Sequence, residues 1–244
     1  MKKTYGLLGK NISYSFSASY FGERFEKEQI DASYQNFDLQ NIEELNDVLK
    51  ANPLNGLNVT IPYKQAIFPF LKRLDPIAET IGAVNVVKFE KDGSLTGYNS
   101  DFYGFKNSLL PLLEKTTPKK ALLLGTGGAS KAVAYALESL GIAYTFVSRN
   151  KKEGKYTYEE LNQNIIEDNL LIINCTPLGT FPNVAACPDI PYEFITSKHV
   201  LYDLIYNPAE TTFLKKGAEK EAIISNGLQM LILQAEKSYE IWNS

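Results

Sequence analysis

Short apolar runs alternate with helix-period segments along almost the whole chain. Thr4 to Leu8 reads as a first strand, and the polar stretch Gly9 to Ser17 as the turn after it. Phe21 and Phe25 recur at helical spacing, which predicts a helix over Ser17 to Gln29 with Ser17 as its N-cap. A strand near Ala32 to Leu39, a helix near Ile42 to Lys50 and a strand through Asn58 follow. Short helical pieces then run through Leu71 and Ile77. Ala83 to Phe89 alternates toward a strand, and Lys91-Asp92-Gly93-Ser94 reads as a hairpin turn, with Asp-Gly its strongest local signal. The returning strand is Ser94 to Tyr98.

The second half has a different texture. Lys119-Lys120 precede the buried-type run Ala121 to Leu124, then the glycine-rich turn Gly125-Thr126-Gly127-Gly128 and a helix over Ala129 to Leu140 closed by Gly141. The next strand, Tyr144 to Ser148, ends at Arg149, completing a βαβ unit. Ile172 to Asn174 is a further strand running into a Pro/Gly turn. Leu228, Leu231, Ile232 and Ala235 set a helical period over Leu228 to Trp242. The change of domain falls between Phe102 and Pro118, and no internal repeat is present. Strands that alternate with helices in this way predict an α/β fold.

Composition narrows the chemistry. The chain has 244 residues, 44% hydrophobic, enough for one large domain or two modest ones. A net charge of -3 gives no case for nucleic acid or an anionic membrane surface as partner. No apolar run reaches spanning length, and Met1-Lys2-Lys3-Thr4 lacks the apolar core of a signal peptide, so a cytoplasmic protein is expected. The two cysteines, Cys175 and Cys187, have no metal-ligand spacing, and His199 is the single histidine. No metal site is expected, and acid–base work falls to Lys, Asp or Tyr.

Against that background the run Asn58-Val59-Thr60-Ile61-Pro62-Tyr63-Lys64 stands out. A strand stopped by Pro62 places Lys64 where a βα loop turns over, the usual position of chemistry in α/β folds. An ammonium there can polarise a substrate oxygen or protonate it, or it can be a solvated residue at a helix start. Ser15 and Ser17, spaced by two, can face one direction and bind a small carboxylate, or be an N-cap and an exposed serine. Asn85 within an apolar strand needs a partner, either ligand or turn backbone, because an unpaired buried amide costs roughly 1–3 kcal/mol. Asp101 begins a helix, where capping alone also accounts for it. Gly125 allows a sharp turn, and Gly127 lets backbone approach a pyrophosphate at a helix N-terminus. Here the turn follows an apolar strand and opens a helix, the context a dinucleotide site requires. Arg149, with Lys151 and Lys152 beside it, stands where an acidic residue would select NAD, so a 2′-phosphate and NADP are favoured.

Taken together, these residues resemble the shikimate dehydrogenase family nearly end to end. Ser15-Phe16-Ser17 resembles its paired substrate serines, Asn58 to Lys64 its catalytic lysine segment, and Ala83-Val84-Asn85 and Asn99-Ser100-Asp101 its substrate Asn and catalytic Asp segments. Gly125 to Ser130 resembles its cofactor loop and Asn174 to Gly179 its nicotinamide-side loop. Asp203 to Pro208 and Gly227 through Ala235 complete the pattern. The resemblance implies an N-terminal α/β substrate domain, 1–103, completed by a returning C-terminal helix, 226–244. A doubly wound Rossmann-type NADP-binding domain would span 104–225. It implies reversible NADPH-dependent reduction of 3-dehydroshikimate to shikimate, by a monomer or homodimer. Lys64 and Asp101 would be the catalytic pair, Ser15 and Ser17 would hold the substrate carboxylate, and Thr60, Asn85, Asn99, Tyr206 and Gln234 would contact the substrate. Gly125, Thr126, Gly127, Gly128, Ala129, Ser148, Arg149, Asn174, Thr176 and Gly227 would bind the cofactor. The chain departs from the family at Tyr14 (usually His), Ala18 (commonly Pro), Ser148 (usually Asn), Glu153 (often Arg) and Thr180 (frequently Met). The stretch after Arg149 is compressed, so one helix of the cofactor domain should be short. Two other readings stay open: a quinate/shikimate dehydrogenase preferring NAD, and a non-catalytic sensor of nucleotide and ring acid. A sensor has no need of the Lys64–Asp101 pair.

Overall fold

The computed structural model describes residues 2–12 and 15–244, and Tyr14, noted above, lies outside them. The chain divides into two compact units, residues 1–100 with 235–244, and residues 101–234.

The first unit contains β1 (Lys3–Gly9), α1 (Phe16–Lys27), β2 (Ala32–Asp38), α2 (Leu45–Ala51), β3 (Gly56–Val59), α3 (Tyr63–Ala66), β4 (Arg73–Leu74), α4 (Pro76–Ile81), β5 (Val86–Phe89) and β6 (Leu95–Tyr98). Among the described residues its sheet runs β2-β1-β3-β5-β6-β4. β1 is parallel to β2 and β3, whereas β5 is antiparallel to β3 and β6. Side chains alternate across this sheet, and so does the core. Leu57, Val59 and Val87 pack with Tyr63 and Ile67 in one cluster, while Tyr5, Val86, Phe21 and Phe25 pack with Ala235 and Trp242 in another. Trp242 stacks on Tyr5 at 4.8 Å between ring centres and donates its indole N–H to Val87 O at 3.1 Å. Losing such a buried aromatic costs roughly 3–5 kcal/mol. That packing holds the last turns of the C-terminal helix in this unit.

Three sequence expectations shift here. The first helix begins at Phe16 and its N-cap is Ser15, whose hydroxyl accepts from Ala18 N at 3.2 Å. Ser17 is therefore buried on the inner face with Phe21 and Phe25, one turn apart in each case. The helix expected near 42–50 is split into a 3-10 turn, Ile42–Glu44, closed by an Asn41/Glu44 capping box, and α2. Strand β5 starts at Val86, so Asn85 lies at the turn entering it rather than within it.

The second unit contains α5 (Asp101–Leu113), β7 (Lys120–Leu124), α6 (Gly128–Ser139), β8 (Ala143–Ser148), β9 (Lys155–Thr157), α7 (Gln163–Asp168), β10 (Leu171–Asn174), β11 (Val200–Asp203), α8 (Thr212–Ala218) and β12 (Ile223–Ser225). The long C-terminal α9 (Leu228–Asn243) begins in it. Its strands are all parallel, in the order β12-β11-β10-β7-β8-β9. Read from the other edge this is the 3-2-1-4-5-6 order of the doubly wound dinucleotide fold, with its switch point between β7 and β10. The near-continuous apolar runs have a cause, because both faces of the sheet are covered. Ala121, Leu123, Ile173 and Tyr202 pack with residues of α5 and α6 on one face. Leu122, Leu124, Ile172 and Leu201 pack with Ile166, Phe213 and Leu214 on the other. β9, a 3-10 turn over Tyr158–Glu160 and the six-residue α7 stand between β8 and β10. His199 is buried just before β11, accepting from Thr196 N at 3.0 Å through Nδ1 and lying 3.1 Å from Ile166 O through Nε2, a structural role. No helix among the described residues is long and apolar enough to cross a membrane.

Candidate functional site

In the first unit the topology gathers polar residues at one edge of the sheet. Ser15 follows β1 and Thr60 follows β3. Because β5 is antiparallel to β3, Asn85 precedes it at that same edge, and Asn99 follows β6 there. Val84 N donates to Lys64 O at 2.8 Å, which sets α3 and its half-buried lysine against the Asn85 turn. The two serines do face one direction. Tyr34 and Asn36, two apart on β2, share a face. Ser15 donates to Asn36 Oδ1 at 2.8 Å, and Ser17 bonds the Tyr34 hydroxyl. Burial pushes the Tyr34 phenol well up, so it serves as a neutral donor.

Asn85 resolves its partner question within the protein. Its Oδ1 accepts from Ser100 N at 2.7 Å and its Nδ2 donates to Ser100 Oγ at 3.1 Å. Asn99 donates to Ala83 O at 2.9 Å. Beneath them lies a network that sequence reading missed. Tyr34 donates to Asn58 Oδ1 at 2.9 Å, Asn58 Nδ2 donates to Ser238 Oγ at 2.9 Å, and Ser238 Oγ lies 3.1 Å from Ser100 Oγ. All of Asn58, Ser100 and Ser238 are buried. The available signal was a serine on the apolar stripe of α9, between Ala235 and Trp242.

The remaining expected site residues belong to the second unit. Asp101 is the first residue of α5 and is buried. Tyr206 follows β11 and is 36% exposed. Gln234 is buried on α9 and donates to Leu231 O at 3.0 Å.

The glycine turn has the geometry a phosphate site needs. Gly125 adopts φ 99°, a left-handed conformation that favours glycine, and an added Cβ would meet Thr176 Cγ2 at 2.9 Å. Gly127 caps α6 at φ -75° and ψ 179°, and an added Cβ would meet nothing within 4 Å. That open space lies over the exposed Thr126, Gly127 and Gly128, and the half-buried Ala129 follows in the first turn of a 12-residue helix. Unpaired N–H groups and the positive dipole end there suit a pyrophosphate. The residues present therefore fit a dinucleotide. At the end of β8, Arg149 borders a groove of about 360 Å³ lined also by Thr157, Tyr158, Glu159, Leu178, Cys187 and Asp189. Burial pushes the Tyr158 phenol up, and the Arg149 guanidinium opposes that shift. Ser148 donates its one proton to Asn150 O at 2.6 Å, so it can only accept from a ligand. Lys151 is paired with Glu160. Of the basic residues at this strand end, Arg149 lines the groove.

Asn174 and Gly227 hold backbone rather than reach outward. The Asn174 amide is fully buried and bonds its own loop at Thr176 and Leu178. An added Cβ at Gly227 would meet Leu204 O at 2.1 Å, and Gly227 N donates to Ile205 O at 3.0 Å, so glycine is required by close approach of the turn after β11.

Comparison with known proteins agrees along the chain. The family model described as the shikimate dehydrogenase substrate binding domain matches residues 7–87. A shikimate dehydrogenase (NADP(+)) of Clostridium botulinum is 37% identical over 250 residues, covering 98% of this chain and 96% of that protein. Among solved structures, a chorismate mutase/shikimate 5-dehydrogenase fusion protein from Clostridium acetobutylicum superposes with a TM-score of 0.88 at 36% identity, over 100% of this chain and 92% of that one. A shikimate 5-dehydrogenase from Thermus thermophilus, solved with NADP(H) and shikimate, superposes with a TM-score of 0.85 at 29% identity, over 98% and 93%.

Proposed function

The chain belongs to the shikimate dehydrogenase family, and from that premise we infer that it reduces 3-dehydroshikimate reversibly to shikimate with NADPH, on the chorismate route to aromatic amino acids. The observation that carries this reading is similarity to that relative, 37% identical, extending over 98% of the chain, with the lysine, aspartate, paired-serine and glycine-turn positions all filled by suitable residues. The overall reaction consumes 3-dehydroshikimate, NADPH and a proton and yields shikimate and NADP+. The nicotinamide, when bound, supplies the hydride.

We assign the residues as follows. Lys64 protonates the ketone oxygen at C3 as negative charge develops there, because an ammonium supplies both charge stabilisation and a proton. Asp101 orients that ammonium and the neighbouring hydroxyl. Ser15 and Ser17 hold the substrate carboxylate, each hydroxyl turning its one proton from its partner on β2, Asn36 Oδ1 for Ser15 and the Tyr34 hydroxyl for Ser17, to the ligand. Thr60, Asn85, Asn99, Tyr206 and Gln234 contact the ring hydroxyls, with Asn85 held by the buried network through Ser100 and Asn99 held by its bond to Ala83 O. The turn from Gly125 to Ala129 seats the pyrophosphate and Arg149 the 2′-phosphate. Ser148, Asn174, Thr176 and Gly227 shape the cofactor's surroundings. Residues 1–103 with 226–244 make the substrate domain and 104–225 the cofactor domain. We further propose that the enzyme works in the cytoplasm as a monomer or homodimer, and its net charge of -3 gives no case for a nucleic-acid partner.

Steady-state turnover of 3-dehydroshikimate with NADPH, beside NADH and beside quinate in reverse, tests the reading. Turnover should be fastest with NADPH, and Lys64→Met should lower it by roughly 10²–10⁴-fold with a much smaller change in substrate affinity. A Lys64→Met enzyme with near-normal turnover refutes the role of Lys64. Binding of both ligands without turnover by the native chain would identify a sensor instead.

A further inference from the structure

Asp203 is a buried carboxylate that substrate and cofactor binding leave unexplained. It ends β11 and is fully buried. Its Oδ1 accepts from Asn174 Nδ2 at 3.1 Å and from Ile205 N at 3.0 Å, and its Oδ2 accepts from Thr211 Oγ1 at 2.6 Å. Asn174 lies opposite it on β10. Besides donating to Asp203, Asn174 donates to Leu178 O at 3.3 Å and accepts from Thr176 N at 3.0 Å and Thr176 Oγ1 at 2.6 Å. An amide has two donor hydrogens and two acceptor lone pairs, so all four are in use and nothing remains for a ligand. Thr176 Oγ1 in turn accepts from Leu178 N at 3.3 Å. A carboxylate is an expensive group to bury, and burial pushes that of Asp203 up from its usual range against three donors that pull it down. Packing alone would be served as well by an apolar residue. What the carboxylate adds is a bridge between two loops on the carboxyl edge of the sheet.

The strand order gives that bridge its place. β7 opens the first mononucleotide half of the fold and β10 opens the second. The glycine turn after β7 and Arg149 after β8 serve the adenosine half, and Leu178 also borders the Arg149 groove, so in the turn after β10 it is Thr176, next to the strand end, that falls to the nicotinamide half. We propose that Asp203 is a positioning residue: through Asn174 it sets Thr176, at the head of the turn after β10, against the nicotinamide, and through Ile205 N it ties the turn carrying Tyr206 to the same carboxylate. This rests on the NADP reading given above.

Calorimetric titration of the whole chain with NADPH and with adenosine 2′,5′-bisphosphate, which lacks the nicotinamide, tests it. Asp203→Ala frees Asn174 from its anchor, and NADPH should bind roughly ten- to hundredfold more weakly, while the bisphosphate stays within about twofold. Asp203→Asn should restore NADPH binding to within about threefold, since its amide can accept from Asn174 and Ile205 and donate to Thr211. If the alanine variant does not fold, Asp203→Ser replaces it, because a serine still bonds Ile205 N but cannot reach Asn174. Equal weakening of both ligands, or unchanged NADPH affinity in the alanine and serine variants, overturns the proposal. A native chain that binds neither ligand overturns the cofactor reading itself, and the proposal with it.

Discussion

Gly127→Ala separates a ligand-facing glycine from a structural one. Gly127 sits at φ -75° and ψ 179°, backbone that alanine adopts freely, and a Cβ placed there meets nothing within 4 Å. Restricting the unfolded chain gains roughly 0.4–1 kcal/mol. Alanine is a poorer N-cap than glycine by a similar amount, so the two effects offset. The net change should lie within about 0.5 kcal/mol, a melting shift of less than about 2 °C for a chain this long. The cofactor should notice far more. A methyl group in the open space over the helix N-terminus holds the pyrophosphate away from backbone donors. Losing one charge-assisted hydrogen bond of about 1.5–3 kcal/mol weakens NADPH roughly ten- to hundredfold. Gly125→Ala is the contrast, since it has both positive φ and a 2.9 Å clash with Thr176, and it should lower the melting temperature as well. Thermal melting by circular dichroism beside NADPH titration reads both quantities. Unchanged NADPH affinity in Gly127→Ala would show that the pyrophosphate does not lie over this turn. A large fall in melting temperature would show that the open space around Gly127 was misjudged.

Arg149→Ala should raise the Michaelis constant for NADPH by about ten- to hundredfold and leave that for NADH nearly unchanged, and equal effects would remove the 2′-phosphate assignment. Ser15→Ala deletes both the α1 cap and the bond to Asn36, so it should lose roughly 0.5–2 kcal/mol of stability as well as substrate affinity. Ser17→Ala leaves the α1 cap in place but removes the bond to Tyr34, so it should lose substrate affinity and about 0.5–1.5 kcal/mol of stability, and unchanged substrate affinity in both variants would refute the pairing. The Asp203 carboxyl is raised by burial above its ordinary 3.8, so the folded state holds that proton more tightly than the unfolded one. Its stabilising contribution is present below pH 3.8 and is lost as pH rises through the folded value. The melting temperature of Asp203→Asn relative to the native chain should therefore climb as pH is raised from that value, and a flat difference would mean the carboxyl is not perturbed.

Much of the fold was legible because its signals are local. Period-2 and helical spacing mark strands and helices from a few neighbouring residues. The glycine turn between an apolar strand and a helix identified the dinucleotide half, and Arg149 at the end of the next strand pointed to the phosphate it would meet. Boundaries slipped where a competing local device acted, as with the capping box that splits the helix near Ile42.

The site's inner wiring was not legible, for a physical reason. Whether Ser15 or Ser17 caps α1 depends on Asn36 and Tyr34, brought alongside by β2. Asn85 advertises its need for a partner in the sequence, but only the pairing of β5 with β6 supplies Ser100. Asn58 finds Ser238 across 180 residues, and Asn174 finds Asp203 across 29. Sequence alone determined the elements, the α/β class and the residue types that carry chemistry, because propensity, period and turn geometry are set by near neighbours. Tertiary structure decided which polar groups are already used inside the protein and which remain for ligands, because a hydrogen bond's capacity is filled by whatever folding brings within about 3 Å.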